Sequence, residues 1–140
     1  MNASTFAGND PRILIRFDGD KTAYLPGEVL SGEFSLERAL APEVQRLKLA
    51  VLWRTEGKGD EASAVHHAQD VPAEPEGQLD PYGTWRFQTQ LPPSPLSYEG
   101  FLLKVCWCVR VEAFLSDGQN RAGEVRFRLG TVAAFQPTSP

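Results

Sequence analysis

Cys106 and Cys108 are the residues whose type and spacing come nearest to chemistry in this chain. Thiols at i and i+2 of an extended segment share a face, about 6 to 7 Å apart by strand rise. That geometry does not suit a mutual disulfide without distortion. Two thiolates joined by a histidine would suit zinc. The histidines, His66 and His67, are adjacent, and adjacent residues of a strand face opposite ways, so at most one can join. No second C-x-x-C or H-x-x-x-H pair completes a ligand set, and the expectation is two reduced thiols with no metal or other cofactor. Lys104 and Arg110 flank the pair, and nearby cations lower a thiol pKa, which leaves mild redox sensitivity open.

Other candidates for chemistry fall short. Thr55-Glu56-Gly57-Lys58-Gly59-Asp60 has the glycines and lysine of a phosphate loop, but G-x-x-x-x-G-K-[ST] is not met. The segment opens no helix whose N-terminus would hold an anion. A glycine-rich hairpin loop or bulge accounts for it. The serines lie in turns without a G-x-S-x-G elbow. Asp60 and Glu61 are neighbours in a polar loop and are expected to be solvated. No residue reads as catalytic, and the chain is not expected to be an enzyme.

The elements that must position these residues are strands. From Phe101 to Glu112 the chain alternates, with Phe101, Leu103, Val105, Trp107, Val109 and Val111 on one side. Leu102, Lys104, Cys106, Cys108, Arg110 and Glu112 fall on the other, as in a long strand with one apolar face. Residues 12–17 alternate in the same way around Ile13, Ile15 and Phe17. Residues 28–36 follow the Pro26-Gly27 turn, whose residue types suit a type II geometry; they place Leu30, Phe34 and Leu36 inward and leave room at Gly32. Residues 44–55 bury Leu47, Leu49, Val51 and Trp53. Residues 84–91 bury Trp85, Phe87 and Leu91, and residues 123–130 bury Val125, Phe127 and Leu129. A short strand is expected near residues 64–71, within a locally acidic stretch from Glu56 to Tyr82. Residues 72–81 are expected to form a loop, and residues 37–44 at most a helical turn limited by Pro42.

Seven strands without sustained helical periodicity make an antiparallel sandwich. It is expected to be a single domain over residues 12–130, with a flexible lead at 1–11 and a disordered tail at 131–140. The net charge of -4 argues against a general nucleic-acid binder. No apolar run approaches the ~18 residues of a membrane-spanning helix, so no membrane insertion is expected. The first residues lack the basic and apolar regions of a signal peptide, which points to the cytoplasm.

Several local patterns together resemble the N-terminal domain of the arrestin-like superfamily. These are Tyr24-Leu25-Pro26-Gly27-Glu28 followed by Gly32, Leu47 to Trp53 running into Thr55, and Leu91-Pro92-Pro93-Ser94-Pro95 with Ser97-Tyr98-Glu99-Gly100. A long strand then leads to Val109-Arg110-Val111. The resemblance covers roughly residues 12–130. It implies an immunoglobulin-like sandwich that holds other proteins and does not catalyse. Arrestins carry two such sandwiches, so interdomain features are not carried over, and the compact size looks more like bacterial sporulation-control relatives.

In that topology the strands at 44–55, 101–112 and 123–130 share a sheet. Their outward residues then form a basic stripe of Lys48, Arg54, Lys104, Arg110, Arg126 and Arg128, interrupted by Glu112 and Glu124. Polar-out alternation alone would put these charges in water. Arginine is also the better residue for two-pronged carboxylate or phosphate contacts. The stripe is therefore the expected docking face for an acidic or phosphorylated protein segment, or for the chain's own acidic stretch. A homodimer through an unpaired sheet edge is a further expectation. The alternative is a sandwich binding sugars or lipids, weakened by the few aromatics expected outside the core, Tyr24, Tyr82 and Tyr98.

Overall fold

The structure, a computed structural model, describes residues 13–36, 44–59, 61–72 and 83–130 of the 140. The long alternating segment is strand β8, Leu103–Leu115, and its neighbours follow from the same periodicity. In chain order they are β1 (Ile13–Phe17), β2 (Ala23–Tyr24), β3 (Val29–Leu36), β4 (Val44–Gly57), β5 (Ser63–Pro72), β6 (Thr84–Gln90), β7 (Tyr98–Glu99), β8 and β9 (Asn120–Leu129). Seven of these are long and match the seven expected. The two-residue strands β2 and β7 sit where only turns were expected, because pairs this short carry no alternation. The lead, residues 37–43, the stretch 73–82 with Tyr82, and the tail lie outside the described residues.

The strands form two sheets. The smaller has the order β1-β3-β6, and the larger β2-β9-β8-β4-β5, with β7 on the start of β8. Pairing is antiparallel throughout, apart from the short parallel contact of β2 with β9. The strands carrying the expected stripe, β4, β8 and β9, do share one sheet.

Both sheets turn their apolar faces inward. Ile13, Ile15, Phe17, Leu30, Phe34 and Phe87 from one meet Leu47, Leu49, Val51, Trp107, Val109, Phe127 and Leu129 from the other, all buried. Phe17, Tyr24, Phe87 and Phe127 meet edge to face, a favourable arrangement of ring quadrupoles. Tyr24 is thus a core residue, not the exposed aromatic its place beside a turn suggests; its hydroxyl donates to the Lys21 carbonyl at 2.8 Å. Gly32 lets β1 and β3 approach, since a Cβ there would strike the Arg16 carbonyl and the Phe87 ring. The turn before β3 holds Gly27 at φ 86°, and the Glu28 N–H donates to the Leu25 carbonyl at 3.0 Å, as the Pro-Gly pair requires.

Two expectations about alternation fail locally. Phe101 belongs by parity to the apolar face of β8, yet it is 100% exposed, because the strand begins at Leu103 and Phe101 sits in the turn before it. The pairing of β5 with β4 shifts between Val51 and Leu52, which places His66 in a bulge. The bulge breaks the strict alternation that would send His66 and His67 to opposite faces. His67 sits opposite the inward Val51, and His66 Nε2 reaches the Gln90 carbonyl of the other sheet at 2.8 Å. Both histidines therefore lean toward the gap between the sheets.

That gap lies between two edge strands, β5 and β6, and polar side chains close it. Besides His66, Gln69 Nε2 donates to the Arg86 carbonyl at 2.8 Å. Two carbonyls of β6 that would otherwise meet a new strand are thereby occupied. At the end of the sandwich, the proline-rich loop brings the Pro95 carbonyl to the Trp107 indole N–H at 2.8 Å, satisfying a buried donor.

Candidate functional site

Register assembles the outer face of the large sheet. Arg54 of β4 lies opposite Cys106, and Cys108 of β8 lies between Leu52 and Arg126. Arg110 stands opposite Glu124, and Glu56 opposite Lys104. Because Leu47, Leu49 and Val51 point inward, Lys48, Arg54 and Glu56 point outward, as do the alternate residues of β8 and β9.

The side chains form one network. Arg54 grips Glu124 with two parallel hydrogen bonds, Nη1 to Oε1 at 3.2 Å and Nη2 to Oε2 at 2.7 Å, the strongest common form of this pair. Arg110 approaches the same carboxylate at 3.6 Å. Glu56 accepts from Arg126 at 2.6 Å and from Arg54 Nε at 3.3 Å. Beneath them lie the thiols, with Arg54 Nη1 at 3.7 Å from Cys108 Sγ and Arg126 Nη1 at 3.6 Å from Cys106 Sγ. Three guanidinium groups thus share two carboxylates over a floor of two thiols.

The electrostatics follow from these contacts. The Arg54 hydrogen bonds hold the Glu124 carboxyl below its usual range, against the opposing effect of burial. At Glu56 burial works to raise the carboxyl, and the charges of Arg126 and Arg54 outweigh it, so the net shift is downward. Both carboxylates are anions at neutral pH. Burial pushes the Cys108 thiol up to about 12, and Cys106 is also raised, again first by burial. This corrects the expectation that nearby cations activate the thiols. The cations in contact are Arg54 and Arg126, not Lys104 and Arg110, and desolvation of the thiolates exceeds their attraction. The histidines lean to the opposite side of the sheet from the thiols, so the two do not form a shared ligand set.

Of the six residues expected in the stripe, the network contains Arg54, Arg110 and Arg126. Lys104 stands 4.0 Å from Glu99 at the end of the sheet. Lys48 lies at the other end, opposite Asp70 and Glu112. Arg128 is exposed on β9 beside Ala23 of β2. The stripe is therefore one arginine cluster with three outlying cations.

Glu56 is the residue that reading the sequence misplaced. By composition it opens the irregular acidic stretch, whereas β4 runs on to Gly57. The signal was available: Arg54 and Glu56 continue the alternation set by Leu47 to Trp53 and so share a face. The burial of Cys108, at 1% exposure on an outward face, had no such signal, since it follows from the arginines folded over it. A second cluster, on the small sheet, was also missed. There Arg86 and Ser31 Oγ both donate to Asp18, and Arg86 leads the interactions that hold the Asp18 carboxyl low.

No family model matches the chain, and no curated protein matches it. Among solved structures it is similar to Spo0M, a sporulation control protein from Bacillus subtilis, with a TM-score of 0.58 and 18% sequence identity over 84% of this chain. The chain spans about half, 48%, of that protein's length. A likeness at this identity establishes fold and leaves role open. The chain is an all-β sandwich of arrestin-like fold, shared with Spo0M.

Proposed function

We propose that this domain is a non-catalytic interaction module that docks an acidic or phosphorylated segment of a partner protein on the outer face of β4, β8 and β9. The observation that carries this reading is the arginine cluster, in which Arg54, Arg110 and Arg126 converge on only two carboxylates. Arg54 is fixed by its bidentate partner. Arg110 and Arg126 keep 41% and 53% of their side-chain surface exposed, so part of each guanidinium fork faces solvent. A partner carboxylate or phosphate meets these forks at the rim, while Arg54 and Glu124 hold the floor. Glu56 occupies Arg126 in the free protein and acts as an internal competitor for a partner's acidic group.

A library of acidic and phosphorylated peptides tests this reading. The wild type is expected to select such peptides, more weakly as salt rises. Glu56→Gln, which frees Arg126, is expected to bind them several-fold more tightly, and Arg110→Glu with Arg126→Glu to lose them. Selection of neutral apolar peptides, or equal binding by all three proteins, would overturn it.

A further inference from the structure

A strip of the outer face of the large sheet, beside the arginine cluster, carries no charge. Lys48 stands opposite Asp70 and Glu112 on one side of it, and Arg54 lies on the other. Between them the outward residues of β4 are Ala50 and Leu52, and register sets Ala68 and Val65 of β5 opposite these two. Val65 leaves 60% of its surface in water. Given the docking function proposed above, on which this rests, we propose that the docked acidic segment carries an aliphatic residue about three residues from its acidic one. Leu52 and Val65 receive that second side chain.

Pairing across the strands arranges the strip in two rows. One runs Glu124, Arg110, Ala50 and Ala68; the next runs Arg126, Cys108, Leu52 and Val65. Residues directly opposite one another in antiparallel strands share a face, so both rows point outward. In a regular strand residues 65 and 68 would face opposite ways. The bulge at His66 re-aims the chain and puts both on the outer face. The first row thus descends from an arginine to two alanines, with Leu52 and Val65 as an apolar wall beside them. It forms a low trough that starts at Arg110 and ends at β5, the last strand of the sheet.

The two ends of the trough differ in what they accept. Arg54 already holds both oxygens of Glu124, and Arg110 reaches that carboxylate only at 3.6 Å, beyond hydrogen-bond length. The Arg110 guanidinium, 41% exposed, is therefore the fork of the cluster best placed to take a partner's acidic group. At the other end, Leu52 and Val65 offer no hydrogen-bonding side chain. A polar residue docked on them would lose water without replacement, whereas an aliphatic one gains by burial. From β8 to β5 is two strand spacings, about 10 Å, which three residues of extended chain cover. The alanines between leave room for the backbone of that chain.

Acetylated, amidated peptides with a fixed glutamate and randomised flanks, presented to the full chain, test this. Wild type is expected to enrich Leu, Ile or Val about three places from the glutamate, by roughly three- to tenfold over Ser, the scale of burying one aliphatic side chain in part. Val65→Ser should abolish that enrichment and leave the selection for glutamate, with its salt dependence, in place. Val65→Leu should keep both. Val65 is exposed, so both variants are expected to melt as wild type does. Arg110→Glu should lose both preferences. Glutamate selected without an aliphatic preference, or a preference that survives Val65→Ser, would overturn the inference and leave the docking function standing. Absence of glutamate selection in wild type would overturn the docking function and this inference together.

Discussion

Glu124 is the residue on which the outer-face network turns. Its carboxylate is 16% exposed and accepts both prongs of Arg54, so its removal strands a half-buried guanidinium. Glu124→Gln is expected to cost about 2 kcal/mol at neutral pH, the usual scale for hydrogen bonds to charged groups. Its folded pKa lies below the ordinary glutamate value of 4.5. The contribution is therefore fully present above that value and is lost as pH falls through the folded pKa. Urea titrations across a pH series should show the wild-type advantage shrinking only below that ordinary value. At the thiols, Cys108 should resist alkylation at neutral pH while Cys106, less buried, reacts first and slowly. A thiol-counting assay in folded protein checks this, and a fast-reacting Cys108 would contradict the burial assigned to it. Side-chain identity and strand parity made the arginine stripe legible in the sequence. They did not reveal its neutralisation by Glu56 and Glu124, which depends on rotamers crossing between strands, nor the desolvation of thiols on a face that parity labels as wet.

At the scale of elements, alternation was enough for six of the seven long strands, because each buries one face against the opposite sheet; β5 has no buried residue among those described and carries no such signal. It failed where backbone geometry departs from a regular strand, at the His66 bulge and the Phe101 turn, and where strands are too short to alternate. Close packing of β1 on β3 depends on Gly32. Gly32→Ala is expected to cost roughly 1–3 kcal/mol by overpacking, because backbone and an aromatic ring must both move. Chemical denaturation measures it. The side chains of His66 and Gln69 stopper the free edge of β6. His66→Ala with Gln69→Ala should lower stability only modestly, since these bonds are exposed, yet promote concentration-dependent association through the uncovered edge. Sedimentation velocity over a concentration series reads the outcome, and a variant that stays as monodisperse as wild type would contradict this role.

For the whole molecule, the arrestin-like motifs and the spacing of the strands pointed to the sandwich that the similarity to Spo0M establishes. The motifs lie in turns and core positions that the fold requires, such as Pro26-Gly27 and the loop from Leu91 to Gly100, so they speak to architecture. Role is written in surface residues, and on the large sheet those centre on one arginine cluster. The central claim is that the arginine face holds a partner protein. Affinity capture from a lysate of the source cell, comparing wild type with a folded Arg110→Glu, Arg126→Glu variant, tests it most directly. The account predicts a partner retained by wild type and lost by the variant; the same partners on both proteins, or none on either, would contradict it.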